Sequence, residues 1–183
     1  MKKVLLVIDY TVDFVSDEGA LTCGKPGQEI ENTIVSLTKK FLEENELVVL
    51  PVDLHERNDL FHPETKLFPA HNIRGTKGRE LYGKLNKLYE DNKEKIIWLD
   101  KTRYSSFAGT NLQQLLSERK VEEIHLVGVC TDICILHTAV DAYNLGYEIV
   151  VYKDAVASFN SAGHEWALGH FTSSLGAKVI KNN

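Results

Sequence analysis

Short apolar runs alternate with amphipathic segments along the 183 residues of this chain. Continuous runs rich in β-branched residues predict strands that are covered on both faces, and apolar residues spaced three and four apart predict helices. Six strands are predicted in this way, at residues 4–8, 47–52, 95–99, 124–127, 147–151 and 178–180. Helical spacing falls between them, at residues 30–42, 80–89, 112–116, 133–145 and 163–175. The segments 10–27 and 53–78 are predicted to be loops.

Strands that alternate with helices favour one mostly parallel six-stranded sheet with helices on both faces, a three-layer α/β/α arrangement of the Rossmann-like kind. Residues 1–183 are expected to form a single domain around one sizeable core. In such folds a ligand binds beyond the carboxyl ends of the strands, where the strand order reverses. The residues that follow each strand are therefore the first candidates for chemistry.

The segment EIHLVGVCTDICILHTAV places Cys134 just after a predicted strand. Thr131 and Asp132 are residue types that cap helices, so Cys134 is expected in the first turn of a helix. There the helix dipole favours a thiolate, and free backbone N–H groups can hold an oxyanion. Two alternatives stay open: a buried structural thiol, and a metal or redox site shared with Cys130, although the spacing matches neither a CxxC redox motif nor a zinc knuckle.

Charged side chains follow the other predicted strands. Asp9 follows the first strand, Asp53 and His55 follow the second, and Lys101 follows the third. A carboxylate that takes the thiol proton and an ammonium that stabilises negative charge would complete a catalytic set with Cys134. Each charge taken singly is consistent with a solvated strand end, so the prediction depends on the whole set.

The long loop at residues 53–78 holds three of the seven histidines, and its apolar residues argue for an ordered, functional segment. Asp53 and His55 occupy alternate positions, so both side chains can approach one point. His71, together with either His62 or Glu64, would complete a divalent-metal site. A set of nitrogen and oxygen ligands suits zinc, manganese or iron(II). Surface histidines in a polar loop are the alternative.

Composition narrows the class of protein. A net charge of −5 without a clustered basic face argues against a nucleic-acid partner. The first apolar run is short and ends at Asp9, which favours a core strand over a signal peptide, and no run approaches the length of a membrane span. Three cysteines, an odd number without secretory context, favour a reducing compartment. We therefore expect a cytoplasmic protein without a membrane partner.

Several motifs together carry a resemblance to a known family. They are VLLVIDYTVDF at the start, DLH and FPAH in the long loop, DKTRYSSF after the third strand, and GVCTDICILHTA. With these motifs the chain resembles the nicotinamidase/pyrazinamidase branch of the isochorismatase-like cysteine hydrolases over nearly its whole length. GVCTDIC is specific to the superfamily, and the DxH and aromatic-Pro-x-His segments narrow the resemblance to nicotinamidases.

The resemblance implies the isochorismatase-like hydrolase fold and a catalytic role for three residues. Cys134 would be the nucleophile, Asp9 the general acid and base, and Lys101 the catalytic cation. The peptide bond between Val129 and Cys130 would be cis, and the backbone N–H groups of Cys130 and Cys134 would bind the oxyanion.

The resemblance also implies a metal site and an aromatic substrate site. Asp53, His55 and His71 match metal ligands of the family. Glu64 is favoured over His62 as the fourth ligand, because the family tolerates a carboxylate in this region. Phe14 and Phe68 match aromatic positions that sandwich a pyridine ring in the family. Two positions depart from the family pattern: Phe61 stands where some members have histidine, and Asn72 stands where many have cysteine.

The implied function is hydrolysis of nicotinamide, and of pyrazinamide, through a cysteine thioester, which releases ammonia and serves NAD salvage. One divalent metal ion is expected, zinc before manganese or iron, and a homo-oligomer stays open. Three rivals remain: a superfamily member with another amide, ureido or vinyl-ether substrate, a catalytically silent metal-binding or scaffold protein, and a thiol redox protein that uses Cys130 and Cys134.

Overall fold

The computed structural model describes residues 2–182 and contains a single twisted arrangement of six hydrogen-bonded strands. Each neighbouring pair of strands is parallel, in the order β3-β2-β1-β4-β5-β6. The strands are β1 (Lys2–Ile8), β2 (Leu47–Asp53), β3 (Ile96–Lys101), β4 (Val121–Val129), β5 (Glu148–Ala157) and β6 (Lys178–Ile180). The predicted parallel six-stranded sheet is confirmed.

Seven α-helices accompany the sheet within residues 2–182. They are α1 (Val12–Val15), α2 (Lys25–Glu29), α3 (Glu31–Glu43), α4 (Gly83–Glu90), α5 (Leu112–Glu118), α6 (Leu136–Asn144) and α7 (Ser161–Leu175). The short helices α1 and α2 lie in the segment that was predicted to be a loop, so that prediction is wrong there. None of the helices described for residues 2–182 has the length and apolar content to cross a bilayer.

Two hydrophobic clusters, one on each face of the sheet, hold the three layers together. Leu5 and Val7 of β1 belong to the cluster that α3 and α4 cover, and Leu6 and Ile8 belong to the cluster under α5, α6 and α7. All four side chains are fully buried. A central parallel strand is covered on both sides, which explains why the whole of this segment is apolar.

The strand order reverses between β1 and β4, and Gly128 allows these two strands to approach each other. Its φ is +114°, and a Cβ at this position would collide with the carbonyl oxygen of Ile8. Glycine is therefore required by both backbone conformation and space. The crevice at the carboxyl ends of the strands opens at this reversal, which is where ligands bind in such sheets.

Candidate active site

Asp9 lies in the crevice directly after β1, and its side chain is fully buried. The backbone N–H of Asp53 donates to Asp9 Oδ1 at 2.8 Å, and the Asp9 N–H donates to the carbonyl oxygen of Pro51 at 3.0 Å. Asp9 is thus bound to the end of β2. Its φ is +56°, a left-handed conformation that is uncommon outside glycine and that often marks functional positions.

Lys101 ends the edge strand β3, yet its buried side chain reaches groups at the carboxyl ends of three other strands. Its Nζ lies 2.7 Å from Asp9 Oδ2 and 3.5 Å from Asp53 Oδ1. The same ammonium donates to the carbonyl oxygen of Arg103 at 3.1 Å and lies 3.6 Å from the sulfur of Cys134. The structure therefore brings Asp9, Lys101 and Cys134 together.

Cys134 lies in the turn that follows β4. The peptide bond between Val129 and Cys130 is cis, and Thr131–Ile135 forms one π-helical turn before α6 begins. Cys134 is buried at the bottom of the crevice. A π-helical turn inside a helical segment is frequently found at functional sites.

Thr131 and Asp132 do not cap the helix, so the predicted capping is wrong. The hydroxyl of Thr131 is instead 2.8 Å from Nδ1 of His164 on α7. Asp132 Oδ1 accepts a hydrogen bond from the hydroxyl of Ser158, just after β5, at 2.6 Å. Both side chains therefore attach the turn at residues 130–135, which we call the cysteine turn, to neighbouring elements.

Burial and neighbouring charges together set the protonation of the three reactive groups. Burial raises the pKa of the Cys134 thiol well above its ordinary value, and the charge of Lys101 opposes the shift only in part. The expectation of a resting thiolate is therefore wrong. Burial also raises the pKa of Asp9 to about 6, against the opposing charge of Lys101. Although burial lowers the pKa of Lys101, the charges of Asp53 and Asp9 raise it well above its ordinary value, so Lys101 stays charged.

A second group of side chains lies beside the first. Asp53, His55, Glu64 and His71 are buried, and each offers one ligand atom within 4.8 Å of the others. Asp53 Oδ2 is 2.9 Å from Nε2 of His55 and 3.4 Å from Nε2 of His71. Glu64 Oε2 is 3.6 Å from Nε2 of His71. We call these four residues the ligand cluster.

The ligand cluster has the donor set and the charge that suit a divalent metal ion. Nδ1 of His71 is 2.7 Å from the carbonyl oxygen of Pro69, to which it donates, so in the neutral ring Nε2 carries the lone pair that a metal ion would take. That Nε2 is buried and has no hydrogen-bond partner within the described residues. Burial lowers the pKa of His71, but the nearby carboxylates of Asp53 and Glu64 raise it to about 10. The two carboxylates thus attract positive charge to this point.

His62, the alternative fourth ligand, uses both ring nitrogens elsewhere. Its Nε2 lies 2.8 Å from the carbonyl oxygen of Thr102, and its Nδ1 accepts from the backbone N–H of Glu64 at 3.2 Å. The neutral ring satisfies both contacts when Nε2 carries the proton. The structure therefore brings Glu64, and not His62, into the ligand cluster.

Asn72 joins the ligand cluster to the segment after β1. It adopts a left-handed conformation with φ of +44°, and its side chain is fully buried. Its backbone N–H donates to Asp13 Oδ2 at 2.7 Å, and its carbonyl oxygen accepts from the N–H of His55 at 3.1 Å. Its Oδ1 accepts from the hydroxyl of Thr11 at 2.9 Å. The sequence interpretation gave this residue no role.

A narrow pocket leads to Cys134 and to the ligand cluster. The predicted aromatic residues Phe14 and Phe68 both line it. Sequence reasoning missed four other lining residues, which are Leu21, Tyr104, Ile133 and Phe159. Tyr104 and Ile133 belong to the motifs KTRYSSF and GVCTDIC, which was the available signal, whereas Leu21 and Phe159 belong to no motif quoted above.

Comparison with known proteins identifies the family. The isochorismatase domain model matches residues 3–183. The chain belongs to the isochorismatase family. Among the relatives of this family member is the Bacillus subtilis protein named "uncharacterized isochorismatase family protein PncA", which is 59% identical over 99% of this chain and 100% of its own length.

Solved structures agree with this family and with the branch that the motifs indicate. A structure described as nicotinamidase/pyrazinamidase PncA from Bacillus subtilis superposes with a TM-score of 0.97 at 59% identity, covering 99% of this chain and 100% of that one. A pyrazinamidase of Pyrococcus horikoshii in complex with zinc superposes with a TM-score of 0.87 at 28% identity, and both chains are covered completely. The isochorismatase-like fold and the resemblance to nicotinamidases are confirmed.

Proposed function

We propose that this family member hydrolyses nicotinamide, and also pyrazinamide, to the carboxylate and ammonia. The observation that carries the proposal is the convergence of a thiol, a carboxylate and an ammonium beside the ligand cluster, in one pocket with aromatic walls. The relatives that are named nicotinamidase or pyrazinamidase support the choice of substrate. Formation of nicotinate would place the reaction in NAD salvage.

The first half of the reaction forms a thioester on Cys134. With a pKa of about 6, Asp9 is mostly ionised at neutral pH and can take the thiol proton, while Lys101 stabilises the sulfur anion. The sulfur attacks the carboxamide carbon, and the backbone N–H groups of Cys130 and Cys134 receive the oxyanion. Asp9 then returns the proton to the leaving nitrogen, so that ammonia departs and the acyl group stays on sulfur.

The second half releases the acid. Asp9, ionised again after ammonia has left, removes a proton from a water molecule that attacks the thioester carbon. The same N–H groups receive the second oxyanion. Collapse of this intermediate breaks the carbon–sulfur bond, and the proton on Asp9 returns to Cys134. The thiol, which burial makes the favoured form, is thereby regenerated.

The ligand cluster would hold one divalent ion, and Phe14 and Phe68 would hold the aromatic ring of the substrate. A bound ion supplies a Lewis acid that can orient a ring nitrogen toward the cluster. The four ligands Asp53, His55, Glu64 and His71 suit zinc, and the zinc complex of the Pyrococcus horikoshii pyrazinamidase supports zinc over manganese and iron.

Ammonia release from nicotinamide and pyrazinamide tests the proposal. Protein stripped of metal by a chelator should release little ammonia, and addition of zinc, manganese or iron(II) should restore the rate. Activity that persists unchanged after stripping would discard the metal site but keep the thiol chemistry. No ammonia from either amide, with any of the three metals, would refute the proposed substrates.

Cys134→Ala tests the covalent route. This variant should lose turnover and still bind nicotinamide, because the pocket walls and the ligand cluster are unchanged. Cys23→Ala, which removes another buried thiol outside the proposed machinery, is the matched control and should keep its activity. Substantial hydrolysis by Cys134→Ala would refute the thioester mechanism.

A further inference from the structure

Two buried thiols that the proposed mechanism does not use are in contact. The sulfur of Cys23 lies 3.3 Å from the sulfur of Cys130, and each residue is 5% exposed. Cys23 precedes α2, and Cys130 begins the cysteine turn after β4. Cys134, in contrast, has its sulfur beside the ammonium of Lys101.

We propose that Cys23 and Cys130 are an oxidative modification site, at which a hydroperoxide forms an intrachain disulfide. A disulfide bond measures about 2.05 Å, so the two sulfurs must approach by little more than 1 Å. Cys130 lines the substrate pocket, which gives a small oxidant a path to this otherwise buried pair. The sulfur–sulfur contact supplies the second thiol as soon as the first has reacted.

The chemistry balances with the hydroperoxide as the only co-reactant. The sulfur of Cys130 attacks one peroxide oxygen while its thiol proton passes to the other oxygen, the O–O bond breaks, and a sulfenic acid and an alcohol (water, for hydrogen peroxide) are formed. The sulfur of Cys23 then attacks the sulfenic sulfur, the S–O bond breaks, and water leaves. Two thiols are oxidised by two electrons, and the peroxide is reduced by two electrons.

Closure of this disulfide would disturb both sides of the substrate pocket. The backbone N–H of Cys23 donates at 2.8 Å to the carbonyl oxygen of Phe14, one of the aromatic walls. Cys130 carries one of the two N–H groups proposed to bind the oxyanion. Drawing the two sulfurs together therefore moves a wall against the oxyanion site, and turnover should fall until the bond is reduced. This effect on turnover rests on the proposed function, whereas formation of the disulfide does not.

The disulfide is tested first in the Cys134→Ala protein, in which Cys23 and Cys130 are the remaining cysteines. Hydrogen peroxide should remove both titratable thiols, and peptide mass spectrometry should find a Cys23–Cys130 cross-link that a phosphine reductant reverses. The double variant with Cys23→Ala, or with Cys23→Ser if alanine impairs folding, should form no intrachain cross-link. Absence of the cross-link in Cys134→Ala, or a cross-link only between chains, would overturn the proposal.

The effect on turnover is tested by comparing wild-type protein with Cys23→Ala. Peroxide should abolish ammonia release by the wild type, and the phosphine should restore it. Cys23→Ala should lose activity more slowly, because oxidation of Cys130 then stops at the sulfenic acid and cannot close the disulfide, although direct oxidation of Cys134 remains. Equal rates of loss would overturn the regulatory effect. A mapped disulfide in a wild type that never released ammonia would support the modification site and count against the proposed function alone.

Discussion

Replacing Lys101 by methionine should destabilise the protein by about 3–5 kcal/mol, the cost of leaving buried charges without their partner. The ammonium lies 2.7 Å from Asp9 and 3.5 Å from Asp53, and all three side chains are buried. Methionine keeps most of the aliphatic stem, so the loss reports the charge rather than the packing. The measurement is the free energy of unfolding of chelator-treated protein in urea.

The size of this loss follows from the charges around Asp9. At an effective dielectric constant near 20, two unit charges 4 Å apart interact by about 4 kcal/mol, which is the scale of the attraction that Lys101→Met removes. Asp9 can reduce the loss by binding a proton. Folded Asp9 already binds a proton more tightly than Asp9 of the unfolded chain does, because burial raises its pKa from 3.8 to about 6.

The sign of the pH dependence comes from the same shift. Since folded Asp9 binds a proton more tightly than unfolded Asp9, its contribution to stability falls as the pH rises from about 4 to about 6. Removing Lys101 raises the pKa of folded Asp9 further, so in the variant alone the contribution of Asp9 to stability continues to fall above pH 6. The deficit of Lys101→Met relative to wild type should therefore be larger at pH 8 than at pH 5.

Lys93→Met is the matched control. Lys93 lies at the same distance, 2.7 Å, from a carboxylate oxygen of Glu90, but both side chains are exposed and screened by water. This variant should unfold like the wild type. Turnover by Lys101→Met should also fall, by about 10²–10³-fold if its charge acts on the oxyanion and the sulfur. A stability loss as small as that of the control would refute the assignment of Lys101 as the compensating charge.

Three further pairs of substitutions test other parts of the structure. Gly128→Ala should lower the free energy of unfolding in urea by more than about 3 kcal/mol, because its Cβ would collide with backbone atoms. Gly169→Ala, in open space within α7, should raise it by about 0.5–1 kcal/mol. Similar values for the two variants would contradict the close approach of the strands. Asn72→Ala should be about 1 kcal/mol less stable than Asn72→Gly, because glycine accepts a φ of +44° without strain and alanine does not. Both variants should bind zinc more weakly than the wild type in a competition titration. Glu64→Gln should weaken zinc binding by at least about 10–100-fold, which is the effect of losing an outer hydrogen-bond partner of a metal ligand. It should also weaken zinc binding more than His62→Gln does. The reverse order would identify His62 as the ligand.

The sheet could be predicted from the sequence because buried parallel strands appear as unbroken apolar runs, as in the segment 4–8. The short helices before α3 could not. The four residues of α1 span barely one helical turn, which is too few for a periodic pattern. The first turn of α2 contains Pro26, and proline also occurs in loops.

Part of the site could be predicted from the sequence, and the physical reasons for success and failure differ from residue to residue. Asp9, Lys101 and Cys134 lie at or just after the carboxyl ends of strands, and parallel strands carry these ends to one edge of the sheet, so their meeting could be predicted. The protonation of Cys134 could not, because burial outweighs the helix terminus and burial is a property of the folded chain. Nor could the contact of Cys23 with Cys130, which are 107 positions apart.

The central place of β1 has a consequence for biosynthesis. β1 leaves the ribosome before the other five strands, yet it pairs with β2 on one side and with β4, which begins at Val121, on the other. Until Val121 has been synthesised, one edge of a strand that is apolar from Val4 to Ile8 stays unpaired, and such edges recruit other chains. Translation speed between β2 and β4, and access of chaperones to the nascent chain, should therefore influence the soluble yield of this protein more than changes near its C-terminal strand do.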